Sequence, residues 1–333
     1  MIPYTRKTLP NGLTVVVNRD RASKLAAVNI LYRVGARNEN PARTGFAHLF
    51  EHLMFRGTRA VENFDLPVQM ASGDNNAFTN NDYTDFYITL PKDNLETALW
   101  LESDRMEGLD ITPAKLEAEK KVVIEEFRQR YLNQPYGDQT MLLRALAYKV
   151  HPYRWAAIGL ATDHIAGATL ADVESFYRAH YRPSNAILSI SADMEEERML
   201  ELAEKWFAPL ADHPSATAAI PQEPMQTQAR RQEVERDVPA STVTVAYHMC
   251  ARTKLDFYTA DLVSDLLSGG DSGRLYTHLV KERNLLSSVN AYITGDVDPG
   301  LFVFTGQLLP GVTPEAAEAA FREEIEALQT TVA

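Results

Sequence analysis

One cysteine, Cys250, stands among 333 residues, so no disulfide can form within the chain. That usage fits a reducing compartment, and a cytoplasmic location is expected. Basic side chains are in deficit, with 33 Lys+Arg against 45 Asp+Glu and a formal charge of −12. Such a chain makes a poor phosphate binder, which argues against nucleic acid as a partner. No apolar run approaches the ~18 residues of a membrane span. No apolar segment with a small-residue cleavage site precedes Met1-Ile2-Pro3-Tyr4-Thr5-Arg6, so no signal peptide is read. Glycine-rich phosphate loops followed by Lys-Ser or Lys-Thr are missing too.

What is present is ordinary globular material, 45% hydrophobic and 23% charged. At roughly 100–200 residues per domain, the length predicts two domains. Thr8 to Asn18 reads as a hairpin about Asn11-Gly12. Strand-like runs follow at Ala26–Val34, Asn76–Thr79, Thr84–Leu90 and Asn185–Ala192. Helical patterns cover Gly45–Gly57, Phe64–Ser72, Asn94–Glu107, Pro113–Tyr131, Gln139–Lys149, Thr169–Tyr177 and Glu195–Phe207. In the Thr169 helix, Asp172 completes a capping box. Residues 209–232 are rich in Ala, Pro, Gln and Thr, lack periodicity, and read as a linker. Beyond it come strand Thr242–His248, helix Phe257–Leu267, a Gly-rich turn at Gly269–Gly273, helix Arg274–Glu282, strands Ser287–Gly295 and Leu301–Gly306, and helix Pro314–Leu328. The two strings share the order strand, helix, helix, strand, strand, helix. The fold class expected is therefore α+β, a duplicated domain whose second copy is cut short. The domains are 1–208, linker 209–232, and 233–333.

Chemistry concentrates at His48-Leu49-Phe50-Glu51-His52. On a helix, residues i and i+4 project from one face about 6 Å apart. A metal about 2.1 Å from each imidazole nitrogen can bridge them. Glu51 lies near that face but turned aside, placed to take a proton from a metal-bound water. A short His-x-x-Glu-His string also arises among surface or core histidines, so a third ligand is needed. The helix Pro113–Tyr131 offers one. At about 100° per residue, Leu116, Val123, Ile124, Phe127 and Tyr131 form one apolar stripe. Glu125 falls about 180° from Leu116, on the solvent side, whereas Glu126 flanks the stripe with Glu119 two turns earlier on nearly the same line. Glu126 can therefore reach a buried metal, and Glu119 can orient a ligand or the water.

These residues resemble the inverzincin metallopeptidases, the pitrilysin/insulinase family that includes mitochondrial processing peptidase, and lie close to its bacterial members. Thr44–Phe55 matches the family's zinc helix and Glu119–Glu126 its second motif. Asn76-Ala77-Phe78-Thr79 with Asp82, Thr84 and Tyr87, His151-Pro152-Tyr153 with Ile158-Gly159, and Tyr181-Arg182-Pro183-Ser184-Asn185 match further stretches. The resemblance implies Zn2+ held by His48, His52 and Glu126, Glu51 as general base, and Glu119 as accessory acid. It implies two tandem α/β rolls forming half of a clamshell, and a homo- or heterodimer enclosing a chamber. Unfolded peptides would add as a strand beside Asn76 and Ala77. Two departures stand against the pattern. The chain ends at Ala333, inside the second roll. The family's Arg and Tyr, seven residues apart, align with Val280 and Ser287, so a partner or a further half is expected to supply them.

Competing readings are weaker. Gly270-Asp271-Ser272-Gly273 resembles the nucleophile turn of chymotrypsin-like proteases, but that fold is all-β; Ser272 is read instead as capping the next helix. A non-catalytic scaffold subunit of the same family is the main alternative, opposed by the intact His48, Glu51, His52 and Glu126. Cys250 is read as a small buried residue, His248 and His278 as packing or surface groups, and Trp100, Trp155 and Trp206 as core or interface aromatics. Arg230-Arg231 is read as a solvated pair.

Overall fold

The computed structural model describes residues 2–213 and 219–330. Residues 214–218 of the expected linker, and the last three residues, lie outside the described part. The chain divides into two compact units, Met1–Leu132 with Tyr148–Met225, and Asn133–Ala147 with Gln226–Ala333. This division falls inside the expected linker and assigns a helix of the first half, α5 below, to the second unit.

The first unit is built on a six-stranded sheet of order β1-β2-β6-β3-β5-β4. β1 (Thr5–Thr8) and β2 (Thr14–Arg19) form the expected hairpin, with Gly12 at φ 89° in the left-handed region that favours glycine. β3 (Leu25–Tyr32) alternates cleanly, burying Ala26, Val28, Ile30 and Tyr32. Then come α1 (Phe46–Leu53), α2 (Asp65–Met70), the hairpin of β4 (Asp74–Thr79) and β5 (Thr84–Pro91), α3 (Leu95–Glu107) and α4 (Pro113–Phe127). α4 starts where Thr112 accepts a hydrogen bond from the Lys115 N–H and Pro113 occupies the first helical position. After α5 (Gln139–Ala147) the chain forms α6 (Thr162–Ala166), α7 (Leu170–His180), β6 (Ala186–Ala192) and α8 (Glu196–Phe207). The Thr169–Asp172 capping box is present as expected.

The apolar face of α1 packs on the sheet through an aromatic stack. Phe50 lies 5.1 Å from Tyr181 and 5.3 Å from Phe176, and Tyr181 lies 4.9 Å from Tyr32. Stacked aromatic rings bury much area and resist sliding. One edge of the sheet ends at β4, which pairs only with β5.

The second unit holds β7 (Thr242–His248), α9 (Leu255–Ser268), β8 (Leu286–Ile293), β9 (Leu301–Leu308) and α10 (Pro314–Thr330). Its sheet runs β7-β9-β8, all antiparallel. This repeats the order of the triplet β3-β5-β4 within the first sheet, and each triplet sets its last strand between the other two. The expected duplication is thus visible in the pairing. Leu267, Leu275, Leu279, Phe304 and Phe321 form its core.

Several details depart from the sequence reading. The helix expected to reach Tyr131 is α-helical only to Phe127 and widens into a π turn over Arg128–Leu132. Arg274–Glu282 is largely π-helical, from Tyr276. The linker has no helix or strand in its described part, yet it is tethered. Glu223 accepts the N–H groups of Lys149, Val150 and His151. Arg230 donates to the carbonyls of Leu146 and Ala147 and is an anchor rather than a solvated charge, while Arg231 stays exposed, as expected, and pairs with Glu315 and Glu318. Ser272 makes no cap; it ends a short 3-10 turn. Cys250 is half-buried just past β7 rather than buried. Trp155 is fully buried, while Trp100 and Trp206 are half-buried. No helix among the described residues is long and apolar enough to cross a membrane.

Candidate metal centre

α1 is only eight residues long and presents Phe46, Leu49, Phe50 and Leu53 to the core. Its other side carries His48 and His52, one turn apart, with ring centroids 4.9 Å apart and planes at 75°. α4 brings Glu126 to the same point. Its Oε2 lies 3.6 Å from His48 Nε2 and 3.4 Å from His52 Nε2. One donor atom from each of the three residues falls within 4.8 Å of the others. Ligand atoms about 2.1 Å from a tetrahedral ion stand roughly 3.4 Å apart, so this donor set fits a metal with little movement. Two imidazoles and one carboxylate leave a fourth position open.

Glu119 reaches the cluster from two turns earlier on α4. It is almost wholly buried, and its Oε2 lies 3.3 Å from His52 Nδ1 while Oε1 lies 2.5 Å from Arg56. Glu126 is held from outside by Arg130 at 2.9 Å. Glu125, on the same helix, is over half exposed and pairs only with Arg128. Glu126 thus faces the two histidines and Glu125 the solvent, while Ile124 and Tyr131, expected in the apolar stripe, are only half-buried.

Glu51 is half-buried beside the histidines. Thr79 of β4 hydrogen-bonds its side chain, and its Oε2 is buried without a partner. Burial raises the Glu51 carboxyl above the usual range, against the opposing pull of Thr79 and His52. Burial drives His48 down to about 4. Burial also opposes charge on His52, but its bonds to Glu119 and Glu126 outweigh that and lift it to about 9. His52 in turn holds the Glu126 carboxyl low. Glu119 stays low despite its burial, because His52 and Arg56 bond to it.

Asn76 and Ala77 sit on β4, which packs beside α1. The Asn76 side chain accepts the Ala77 N–H at 2.8 Å. In the second unit, Val280 packs against the core and Ser287 is exposed at the bulge that opens β8. Sequence reasoning passed over four side chains near the centre. Arg56 and Arg130 each lie four residues beyond a candidate ligand, a spacing that could have revealed them. Thr79 lies in a quoted motif without an assigned role. Glu39, buried behind α1, carries no spacing signal at all.

Residues 14–155 match the family described as Insulinase (Peptidase family M16), and residues 167–332 match its companion, described as Peptidase M16 inactive domain. The chain is 33% identical to the zinc protease PqqE of Helicobacter pylori, over 96% of this chain and 72% of that protein. It is 25% identical to a probable mitochondrial-processing peptidase beta subunit of Arabidopsis thaliana, over 90% of this chain and 59% of that one. The crystal structure of a protease from Helicobacter pylori superposes with a TM-score of 0.93 at 31% identity, covering 98% of this chain and 80% of that chain. Both units carry the family pattern and a relative exceeds 30% identity over most of its length, so the chain belongs to the insulinase family of peptidases, M16.

Proposed function

We propose that this chain is the zinc-carrying part of an endopeptidase that hydrolyses unfolded peptides. The observation that carries the reading is the convergence of His48, His52 and Glu126 beside a half-buried Glu51 with an unpartnered oxygen. The cofactor is Zn2+, held by those three side chains. Bound there, zinc supplies Lewis acidity toward the scissile carbonyl and makes a neighbouring water more acidic. Glu51 takes the proton from the attacking water and passes it to the leaving amine. Its raised affinity for a proton suits both steps. Glu119 accepts from His52 Nδ1, which fixes the tautomer and leaves Nε2 as the nitrogen that would hold the metal. The substrate adds as a strand along the open edge of β4 at Asn76 and Ala77. Main-chain bonds then give affinity without demanding one sequence.

The positions aligned with the family's Arg and Tyr hold Val280 and Ser287. A second subunit or a further half therefore supplies that pair, in a homo- or heterodimer that encloses the substrate. Cytoplasmic placement is part of this reading and rests on the single cysteine. A non-catalytic role as scaffold or partner is the second reading, favoured by the match of residues 167–332 to an inactive domain.

Metal content per folded chain tests the proposal. Near-stoichiometric zinc is expected in the wild type and in Glu125→Gln, and weakened binding in Glu126→Gln. A well-folded wild type that takes up no metal from excess zinc would overturn it.

A further inference from the structure

α1 faces an unusual problem at its start. Its N-cap is Gly45, at φ 89°, which offers no side chain to the first-turn amides. A capping residue cannot replace it, because a Cβ there would stand 2.6 Å from the Ile158 carbonyl oxygen. Uncapped helix starts leave N–H groups without partners, and an eight-residue helix is marginal by itself. Yet this helix must hold His48, in its first turn, to within a few tenths of an ångström.

Glu39 solves the problem from six residues upstream. Its carboxylate is buried and spans the helix start, with Oε2 accepting from the Gly45 N–H at 2.9 Å and Oε1 from the Ala47 N–H at 2.8 Å. One bond would fix where the helix begins. Two bonds, to amides two residues apart, also fix its rotation about the axis. Glu39 is itself held. It follows the 3-10 turn Ala36–Asn38, whose Ala36 and Arg37 N–H groups donate to the carbonyls of Asn80 and Asn81 at the β4–β5 turn. Trp155 donates to the Ala36 carbonyl at 3.0 Å. Arg37 pairs with Asp82, which also accepts from the Tyr153 hydroxyl at 2.6 Å.

We propose that Glu39 is a positioning residue for the metal centre: its two-oxygen clamp on the Gly45 and Ala47 amides sets the place and rotation of α1, and so the aim of His48 and His52. It touches neither metal nor substrate. The idea rests on the zinc reading above. It ties the helix to the turn of the β4–β5 hairpin, the same hairpin that offers the open edge.

The test uses the full chain as wild type, Glu39→Gln, Glu39→Asp and Met199→Ala. Met199 is fully buried in α8, and its truncation is a purely structural lesion. Zinc affinity is read by competition with a chelator, and ligand geometry by the visible absorption of the Co2+-substituted protein. Glutamine keeps one acceptor and turns an NH2 toward the other amide, so affinity should fall about 10- to 100-fold and the Co2+ bands should shift. Aspartate keeps both acceptors and should bind more tightly than glutamine. Met199→Ala should lower the melting temperature but leave affinity and spectrum as in wild type. Unchanged affinity and spectrum in Glu39→Gln overturn the inference, as does aspartate binding no better than glutamine. Failure of both Glu39 variants to fold in the presence of zinc also overturns it, in favour of a purely structural role. A wild type that binds no zinc sinks the functional reading and the inference together, whereas a normal wild type with normal variants sinks the inference alone.

Discussion

The two units share one three-strand pattern, β3-β5-β4 in the first and β7-β9-β8 in the second, and put different things on it. In the first, the helix after β3 is α1, clamped at its start and bearing His48, Glu51 and His52. In the second, the helix after β7 is α9, almost twice as long at 14 residues. α9 buries Phe257, Ser264 and Leu267 and leaves Leu255, Tyr258, Leu262 and Leu266 exposed, without a histidine anywhere along it. Burial of charge differs in the same sense. The first unit buries Glu39, Asp82, Asp85, Glu102, Arg105, Glu119 and Lys120, and the second only Asp296 and Glu324 among its described acidic and basic residues. Buried charge is costly unless it is paired or put to use. The scaffold is therefore indifferent to chemistry. What separates the units is the set of ionisable groups that the first one holds away from water.

Removing those groups one at a time should erase the contrast in graded steps. The largest effect is expected from Glu51→Gln. Peptide hydrolysis, measured with the complete assembly, should fall about 10²–10⁴-fold while zinc is retained. An unchanged rate would count against Glu51 as the base. Next, Glu126→Gln should weaken zinc binding by more than about 100-fold, since losing a direct ligand exceeds the usual loss from an outer partner. Chelator competition would check it, with Glu125→Gln close to wild type.

A third, smaller effect concerns pH. Asp85 is buried, accepts from Asn29 Nδ2 at 2.6 Å, and is raised by burial to about 6 from 3.8. A group whose folded value is raised contributes stability fully below about pH 3.8, and loses it as pH rises through 6. Asp85→Asn lacks that loss. Its melting temperature relative to wild type should climb between pH 4 and 6, then level off, by a difference on the order of 2 kcal/mol. A flat difference across that range would refute the assignment. Smallest of all, Leu262→Ser on the exposed side of α9 should shift stability by less than about 0.5 kcal/mol. Leu267→Ala, on the buried side of the same helix, should cost about 2–5 kcal/mol in a denaturant titration.

Much of this was legible in the sequence because the signals are periodic and local. The His48–His52 spacing, the wheel position of Glu126, the Asn11-Gly12 turn and the Thr169 capping box each lie within one or two turns of their partners. The duplicated order of strands could be read from hydrophobic pattern alone. What escaped has a common cause. Glu39 acts across a loop on a helix start whose cap is a glycine, so no capping pattern marks it. Glu223, Arg230 and Arg231 sit in a stretch without periodicity, and their anchoring to backbone and to α10 depends on tertiary placement. The widening of α4 at Arg128 leaves no mark in a 3.6-residue pattern, although it begins two residues after Glu126, the carboxylate that Arg130 engages. The membership of α5 in the second unit is likewise decided by packing, not by its own sequence.

The partition of the indoles and the thiol between the units makes the molecule self-reporting. All three indoles, at Trp100, Trp155 and Trp206, fall in the first unit, and the single thiol, Cys250, falls in the second. Tryptophan fluorescence, excited beyond the tyrosine absorption band, therefore watches one body only, and a dye on the thiol watches the other. A denaturation curve recorded at both wavelengths would show directly whether the metal-bearing body and its companion melt as one cooperative block or in sequence.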